Sequence, residues 1–171
     1  MGPVNLDGIP GGSLCVIDTN VLLYAEQGVS GQAQRFLLRC ARGELSGVLP
    51  QTVWQEVTHK LMLAEAMMRG LISGGNPAAR LTAKPEVVRG LSLYRAKVQA
   101  LVDLGLGFEA CTLDDLTKTA FKMQEKHGFL TNDAVVLAVA IRLKADALVS
   151  SDKAFHGVNE VAVHCPTDLR I

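Results

Sequence analysis

Short apolar runs that stop abruptly at polar residues punctuate this chain. The first, Leu14–Ile17, reads as a buried strand, and the apolar stretch 21–25 reads as the start of a helix with Asn20 or Thr19 as its cap. Asp18 then stands at a strand's carboxyl end, hemmed in by hydrophobic residues, where an uncompensated charge is costly. Residues 32–40 predict a second helix, GELSG a turn, and Val48 and Leu49 a short strand ending at Pro50. That proline opens a long helix, QTVWQEVTHKLMLAEAMMRG, in which Val53, Val57, Leu61 and Ala64 recur at helical spacing and Glu56 lies beside the apolar face.

Residues 73–84 are rich in Ser, Gly, Asn and Pro and poor in large apolar groups, so they predict a mobile loop inserted between helices, not a domain boundary. A helix from Pro85 to about Val102 follows, then a turn and short strand in LGLGFEAC. LDDLTKTAFKMQEKHG predicts a helix with acids in its first turn and bases in its last, which suits the macrodipole. TNDAVVLAVAIRLKA predicts a strongly apolar helix capped by Thr131 or Asn132. Ala147–Val149 reads as a strand that delivers Asp152, and VAVH as a last strand. Strands alternating with helices indicate an α/β domain with a mainly parallel sheet, a single unit over residues 1–171 with a flexible segment at 1–13.

Composition narrows the function. The 171 residues are 49% hydrophobic, enough to fill one core, and 17 basic residues balance 17 acidic ones, so any nucleic-acid binding must rest on a local patch. The first residues lack a charged start and an apolar leader, and no run approaches the roughly 18 apolar residues of a membrane span, which predicts a soluble, cytoplasmic protein. Cys15, Cys40, Cys111 and Cys165 show no CxxC spacing and read as inert reduced thiols, not as zinc ligands.

The chemistry lies in the carboxylates. In open parallel sheets ligand sites gather beyond the strands' carboxyl ends, where Asp18 and Asp152 are predicted to stand. Asp133 falls in the first turn of its helix and Glu56 in the early turns of its own. If the four converge they repel one another unless a cation intervenes, and a hard divalent ion, Mg²⁺ or Mn²⁺, suits a set of carboxylates. Such an ion fits phosphodiester hydrolysis.

The ordered set DTN after a strand, WQEV in the helix after the next strand, TNDA opening an apolar helix and SSDKAF after a strand resembles the PIN-domain nucleases over most of the chain, residues 14–163. The resemblance implies a three-layer α/β/α fold and a metal-dependent ribonuclease. Asp18, Glu56, Asp133 and Asp152 would hold the ions, and Thr19, Asn20 and Ser151 would assist by hydrogen bonds. A single-domain chain of this kind looks most like the VapC-like toxins, which are homodimers silenced by an antitoxin occupying the groove near the metal site. Residues 73–84 and the helix after them depart from the shorter members of that group. An RNA-processing nuclease without an antitoxin and a non-catalytic scaffold that binds RNA or protein are the alternatives. A haloacid-dehalogenase phosphatase is disfavoured because Asn20 replaces the second aspartate of DxD, and no GxGxxG marks a dinucleotide site.

Other residues admit plainer readings. Glu65 shares a helix with Glu56 and competes with it for the site, and Asp168 in PTDLRI fits a turn or cap as well as the site. Asp114 and Asp115 read as helix-start residues and His59 as a surface histidine. Lys118, Lys122 and Lys126 make one helical stripe, either a solvated face or a phosphate track for RNA. Met62, Met67, Met68 and Leu71 suit a partner groove, a core or a homodimer face equally.

Overall fold

The computed structural model describes residues 4–169. Six strands form one sheet in which every neighbouring pair is parallel. They are β1 (Val4–Asn5), β2 (Leu14–Ile17), β3 (Ser46–Pro50), β4 (Gly107–Glu109), β5 (Ala147–Val149) and β6 (Val163–Cys165), in the order β1-β6-β5-β2-β3-β4. Helices α1 (Thr19–Glu26) and α2 (Gly31–Ala41) join β2 to β3, and α3 (Gln51–Met68) leaves β3 directly. The remaining helices are α4 (Pro77–Thr82), α5 (Pro85–Gly90), α6 (Leu93–Asp103), α7 (Ala120–His127) and α8 (Thr131–Arg142). This is the predicted α/β architecture.

The central strands β2 and β5 are buried on both faces, and their composition reflects it: Val16, Ile17, Leu148 and Val149 are fully buried. Helix α8 is buried along the whole stretch 134–140, which explains why it shows no polar stripe. At Gly47 the sheet admits no side chain, since a Cβ there would lie 2.9 Å from both Cys40 Sγ and Leu106 Cδ2. Burial pushes the Cys15 thiol up to about 12 and Cys40 up to about 11, so both are unreactive at neutral pH. Among the described residues no helix is long and apolar enough to cross a membrane.

Three local expectations are corrected and a fourth is refined. Residues 4–13 are not a loose segment: β1 pairs with β6, a 3₁₀ turn spans Leu6–Gly8, and Leu6 and Ile9 enter the core. Residues 1–3 of that predicted segment lie outside the described residues. The predicted loop 73–84 contains α4, entered through the Asn76 side chain, which accepts from the Ala79 N–H at 3.1 Å, and through Pro77 at the first helical position. The helix predicted from Pro85 to Val102 is two, α5 and α6, separated where Leu91 turns inward to a small apolar cluster. The helix predicted from LDDLT onward is present over 113–127 and carries within it a π turn, Asp115–Thr119, where the buried Asp115 accepts from Arg142 Nε at 3.0 Å and the Thr112 N–H at 2.9 Å.

Candidate active site

The sheet reverses its direction of winding at β2: β3 and β4 follow on one side, while β5 returns on the other. A crevice beyond the carboxyl ends of β2 and β5 is where such a topology opens a ligand site. Parallel register sets Ile17 opposite Val149, so the next residues, Asp18 and Ser150, emerge side by side, and the Asp18 N–H donates to the Val149 carbonyl at 2.9 Å.

From this point a chain of hydrogen bonds runs in both directions. Asp18 Oδ1 accepts from the Thr19 N–H at 2.7 Å, which caps α1, and Asp18 Oδ2 accepts from Ser150 Oγ at 2.6 Å. Ser150 Oγ in turn accepts the Asp152 N–H at 3.0 Å. On the other side Thr19 Oγ1 donates to Glu56 Oε2 at 3.1 Å, and Lys60 Nζ lies 2.6 Å from Glu56 Oε1. Glu56 is delivered by the second turn of α3, which can start so close to β3 because Pro50 ends the strand and leads into the helix. Asp152 stands at the start of the Lys153–Gly157 turn, where Oδ1 accepts from the Ala154 N–H at 2.8 Å, and its charge is felt by both Asp18 and Asp133.

Asp133, in the first turn of α8, completes the group. Its carboxyl is raised to about 6, first by desolvation and then by the negative charges of Asp18, Asp152 and Glu56, with Lys60 opposing them. Asp18 is also raised above its ordinary value, chiefly by burial, although Ser150 and the Thr19 N–H stabilise its charged form. The structure therefore brings Asp18, Glu56, Asp133 and Asp152 into one electrostatic neighbourhood.

Among the described residues no three carboxylate, histidine or cysteine side chains are gathered tightly enough to enclose an ion by themselves. The donor chemistry nonetheless fits a hard divalent cation. The groups are carboxylates, they raise one another's affinity for positive charge, and Mg²⁺ ordinarily keeps several waters in its shell. Part of Glu56 is already satisfied by Lys60, an internal cation.

The remaining candidates fall as follows. Thr19 lies within the hydrogen-bond chain. Among the described residues no hydrogen bond joins the side chain of Asn20 or Ser151 to it. Ser150, which the sequence reading passed over, is fully buried and bonded to Asp18. Glu65 is engaged elsewhere, accepting the Ser92 and Tyr94 N–H groups at 3.1 and 2.8 Å and so capping α6. Asp168 caps α2, accepting from the Gln32 N–H at 2.9 Å and Ser30 Oγ at 2.6 Å. The lysine stripe is interrupted by the π turn, and two of its members are neutralised: Lys118 pairs with Asp114 at 3.0 Å and Lys126 with Glu160 at 2.7 Å.

A sheet of this topology with carboxylates converging at its winding reversal defines a class, and the family comparison agrees with it. The chain belongs to the PIN domain family, whose model matches residues 15–161. Among solved structures, the chain is similar to VapBC2 from Rickettsia felis bound to a DNA fragment from its promoter, with a TM-score of 0.60 and 15% identity over 89% of this chain and 98% of that one. It is also similar to a toxin-antitoxin complex from Klebsiella pneumoniae, with a TM-score of 0.58 and 16% identity over 92% of this chain and 99% of that one. At these identities the likeness is one of fold. No curated protein matches the chain.

Proposed function

We propose that this protein is a metal-dependent endoribonuclease and the toxin of a toxin–antitoxin pair. The observation that carries the reading is Asp133, whose carboxyl is raised to about 6, first by burial and then by the charges of Asp18, Asp152 and Glu56, beyond the carboxyl ends of a parallel sheet. Repulsion of that kind is kept where a cation is to be bound.

Asp18, Glu56, Asp133 and Asp152 would hold Mg²⁺ or Mn²⁺, with waters filling the remaining positions. When bound, such an ion polarises a phosphodiester and makes water a competent nucleophile at neutral pH. The chain's own residues prepare for this. Ser150 and Thr19 fix both oxygens of Asp18, so its carboxylate is oriented in advance, and Thr19 ties Glu56 to the same frame. Burial of Asp18 and Ser150 keeps that frame dry at its base, where electrostatic interactions are strong.

An antitoxin partner is supported by a groove of about 420 Å³ between α1, α2, α3 and α6, lined by Leu22, Leu37, Leu38, Val57, Leu61 and Leu101. Its walls include α1 and α3, the helices that carry Thr19 and Glu56. An amphipathic helix laid there fits the chemistry of the wall. A homodimer has exposed apolar side chains available at Leu113, Leu116 and Phe121.

The test is cleavage of total RNA by the purified protein in Mg²⁺ or Mn²⁺, with EDTA and the Asp152→Asn variant in parallel. Metal-dependent cutting that the variant lacks is the predicted result. Cutting that persists in EDTA, or in the variant, contradicts the assignment.

A further inference from the structure

Charge is unevenly divided along this neutral chain. Residues 69–97, spanning α4, α5 and the start of α6, carry Arg69, Arg80, Lys84, Arg89, Arg95 and Lys97 against the single acid Glu86. This lobe is strongly cationic, and the remainder of the molecule carries the balancing negative charge. Two of the six cations are paired with the body, Arg69 with Glu65 and Lys97 with Glu26. Arg80, Lys84, Arg89 and Arg95 are exposed, and among the described residues none of them meets a carboxylate.

The lobe is firmly mounted. Ile72, Leu81 and Leu91 pack with Ala66 of α3 in a core of their own, flanked by Met62, Leu63 and Tyr94. Glu65 bonds across to the N-terminus of α6. Between α4 and the turn that leads into it lies a cleft of about 290 Å³ lined by Gly70, Leu71, Ile72, Ser73, Arg80, Ala83 and Lys84, with no acid on its wall. Lys84 Nζ donates to the Leu71 carbonyl at 3.0 Å, which holds one edge. Gly75 turns the chain at φ +58°, and the Arg80 guanidinium lies beside it.

We propose that this lobe is a phosphate-binding surface for single-stranded RNA, with the cleft under Arg80 and Lys84 receiving one backbone phosphate. The identity of the polyanion rests on the ribonuclease reading above. The carboxylate site repels a nucleic acid unless the ion is present, and the residues outside the lobe are net acidic in sum, so the lobe supplies cationic attraction that they do not. Helix α3 connects the two: Glu56 lies twelve residues before its last residue, Met68, about 18 Å at 1.5 Å per residue. An RNA strand cut at the carboxylates has to extend past its scissile bond to reach the lobe, so the lobe acts on strands and not on dinucleotides.

The experiment measures binding of a fluorescent single-stranded RNA 20-mer to the Asp18→Asn protein from 50 to 200 mM salt, with and without Arg80→Gln and Lys84→Gln. Loss of two phosphate contacts is expected to reduce the salt slope by about 1.4, so that the fall in affinity across that range shrinks about sevenfold. Because Lys84 also supports the turn, Arg80→Gln with Arg89→Gln is run alongside, with circular dichroism to confirm the fold, and the same loss is expected. Cleavage of a dinucleotide by the same lobe substitutions in the active protein should be unchanged. An unaltered affinity and salt slope in both folded variants overturns the proposal, as does a loss confined to binding of polyglutamate. Failure of the ribonuclease reading looks different: no RNA is cut by the active protein in any metal.

Discussion

Ser150 is the least conspicuous member of the site and gives a sharp test of how the site is built. Its hydroxyl is fully buried, donates to Asp18 Oδ2 at 2.6 Å and accepts the Asp152 N–H at 3.0 Å. Ser150→Ala removes a hydrogen bond to a buried charge, worth about 2 kcal/mol, and leaves both partners without a replacement. For a domain of this size that corresponds to a fall in Tm of about 4–8 °C. The loss depends on pH. Asp18 is already raised above 3.8 by burial, so the excess stability of its protonated form is present below 3.8 and lost as pH rises through the folded value. Removing the hydroxyl raises that folded value further. The destabilisation should therefore be full at pH 7 and shrink to about 1 kcal/mol, that of a neutral hydrogen bond, where Asp18 is protonated. Urea denaturation of both proteins at pH 7 and in acid measures this. A loss under about 0.5 kcal/mol at pH 7, or one that does not change with pH, refutes the assignment of Ser150 as the support of a charged Asp18.

Other consequences follow from the same geometry. Asp133 is held up to about 6 against an ordinary 3.8, so its protonated form contributes stability that is complete below about 3.8 and gone above about 6. The ion-free protein should lose Tm from pH 4 to 7, while Mn²⁺ affinity, measured by calorimetric titration, should rise as the proton is displaced; affinity independent of pH between 5 and 7 contradicts this. Glu65→Ala leaves the Ser92 and Tyr94 N–H groups of α6 uncapped, and should cost about 3 kcal/mol in urea denaturation while sparing the carboxylate site. A retained Tm would show that α6 is anchored otherwise. Gly47→Ala should cost about 1–3 kcal/mol through overpacking against Cys40 and Leu106, and an unchanged Tm would mean the sheet yields there.

The sequence exposes the carboxylates because each stands at a fixed offset from an apolar run: Asp18 after Ile17, Asp152 shortly after Val149, Asp133 just before the buried stretch 134–140 of α8. What it hides depends on contacts between distant segments. Two adjacent serines look alike in SSDKAF, and only the register of β5 against β2 sets Ser150, not Ser151, beside Asp18. That register had a faint signal, since Asp18 and Ser150 each follow the last apolar residue of a strand. Glu65 and Glu56 share a helix, and their different destinations are decided by α6 and Thr19. Helix α4 was concealed by its Gly- and Ser-rich approach, although Asn76 and Pro77 form a legible helix start. The strand β1 is only two residues long and makes no pattern at all. In the lysine stripe the π turn shifts the phase, because Asp115 is drawn inward to Arg142.

The most direct measurement is diffraction from crystals soaked in Mn²⁺, with data collected at a wavelength where manganese scatters anomalously. The account predicts an anomalous peak beyond the carboxyl ends of β2 and β5, within about 2.0–2.3 Å of oxygens from Asp18 and Asp133, and its loss in Asp18→Asn crystals. A peak elsewhere, or none at millimolar Mn²⁺, would contradict the claim that these carboxylates are gathered to hold a divalent ion.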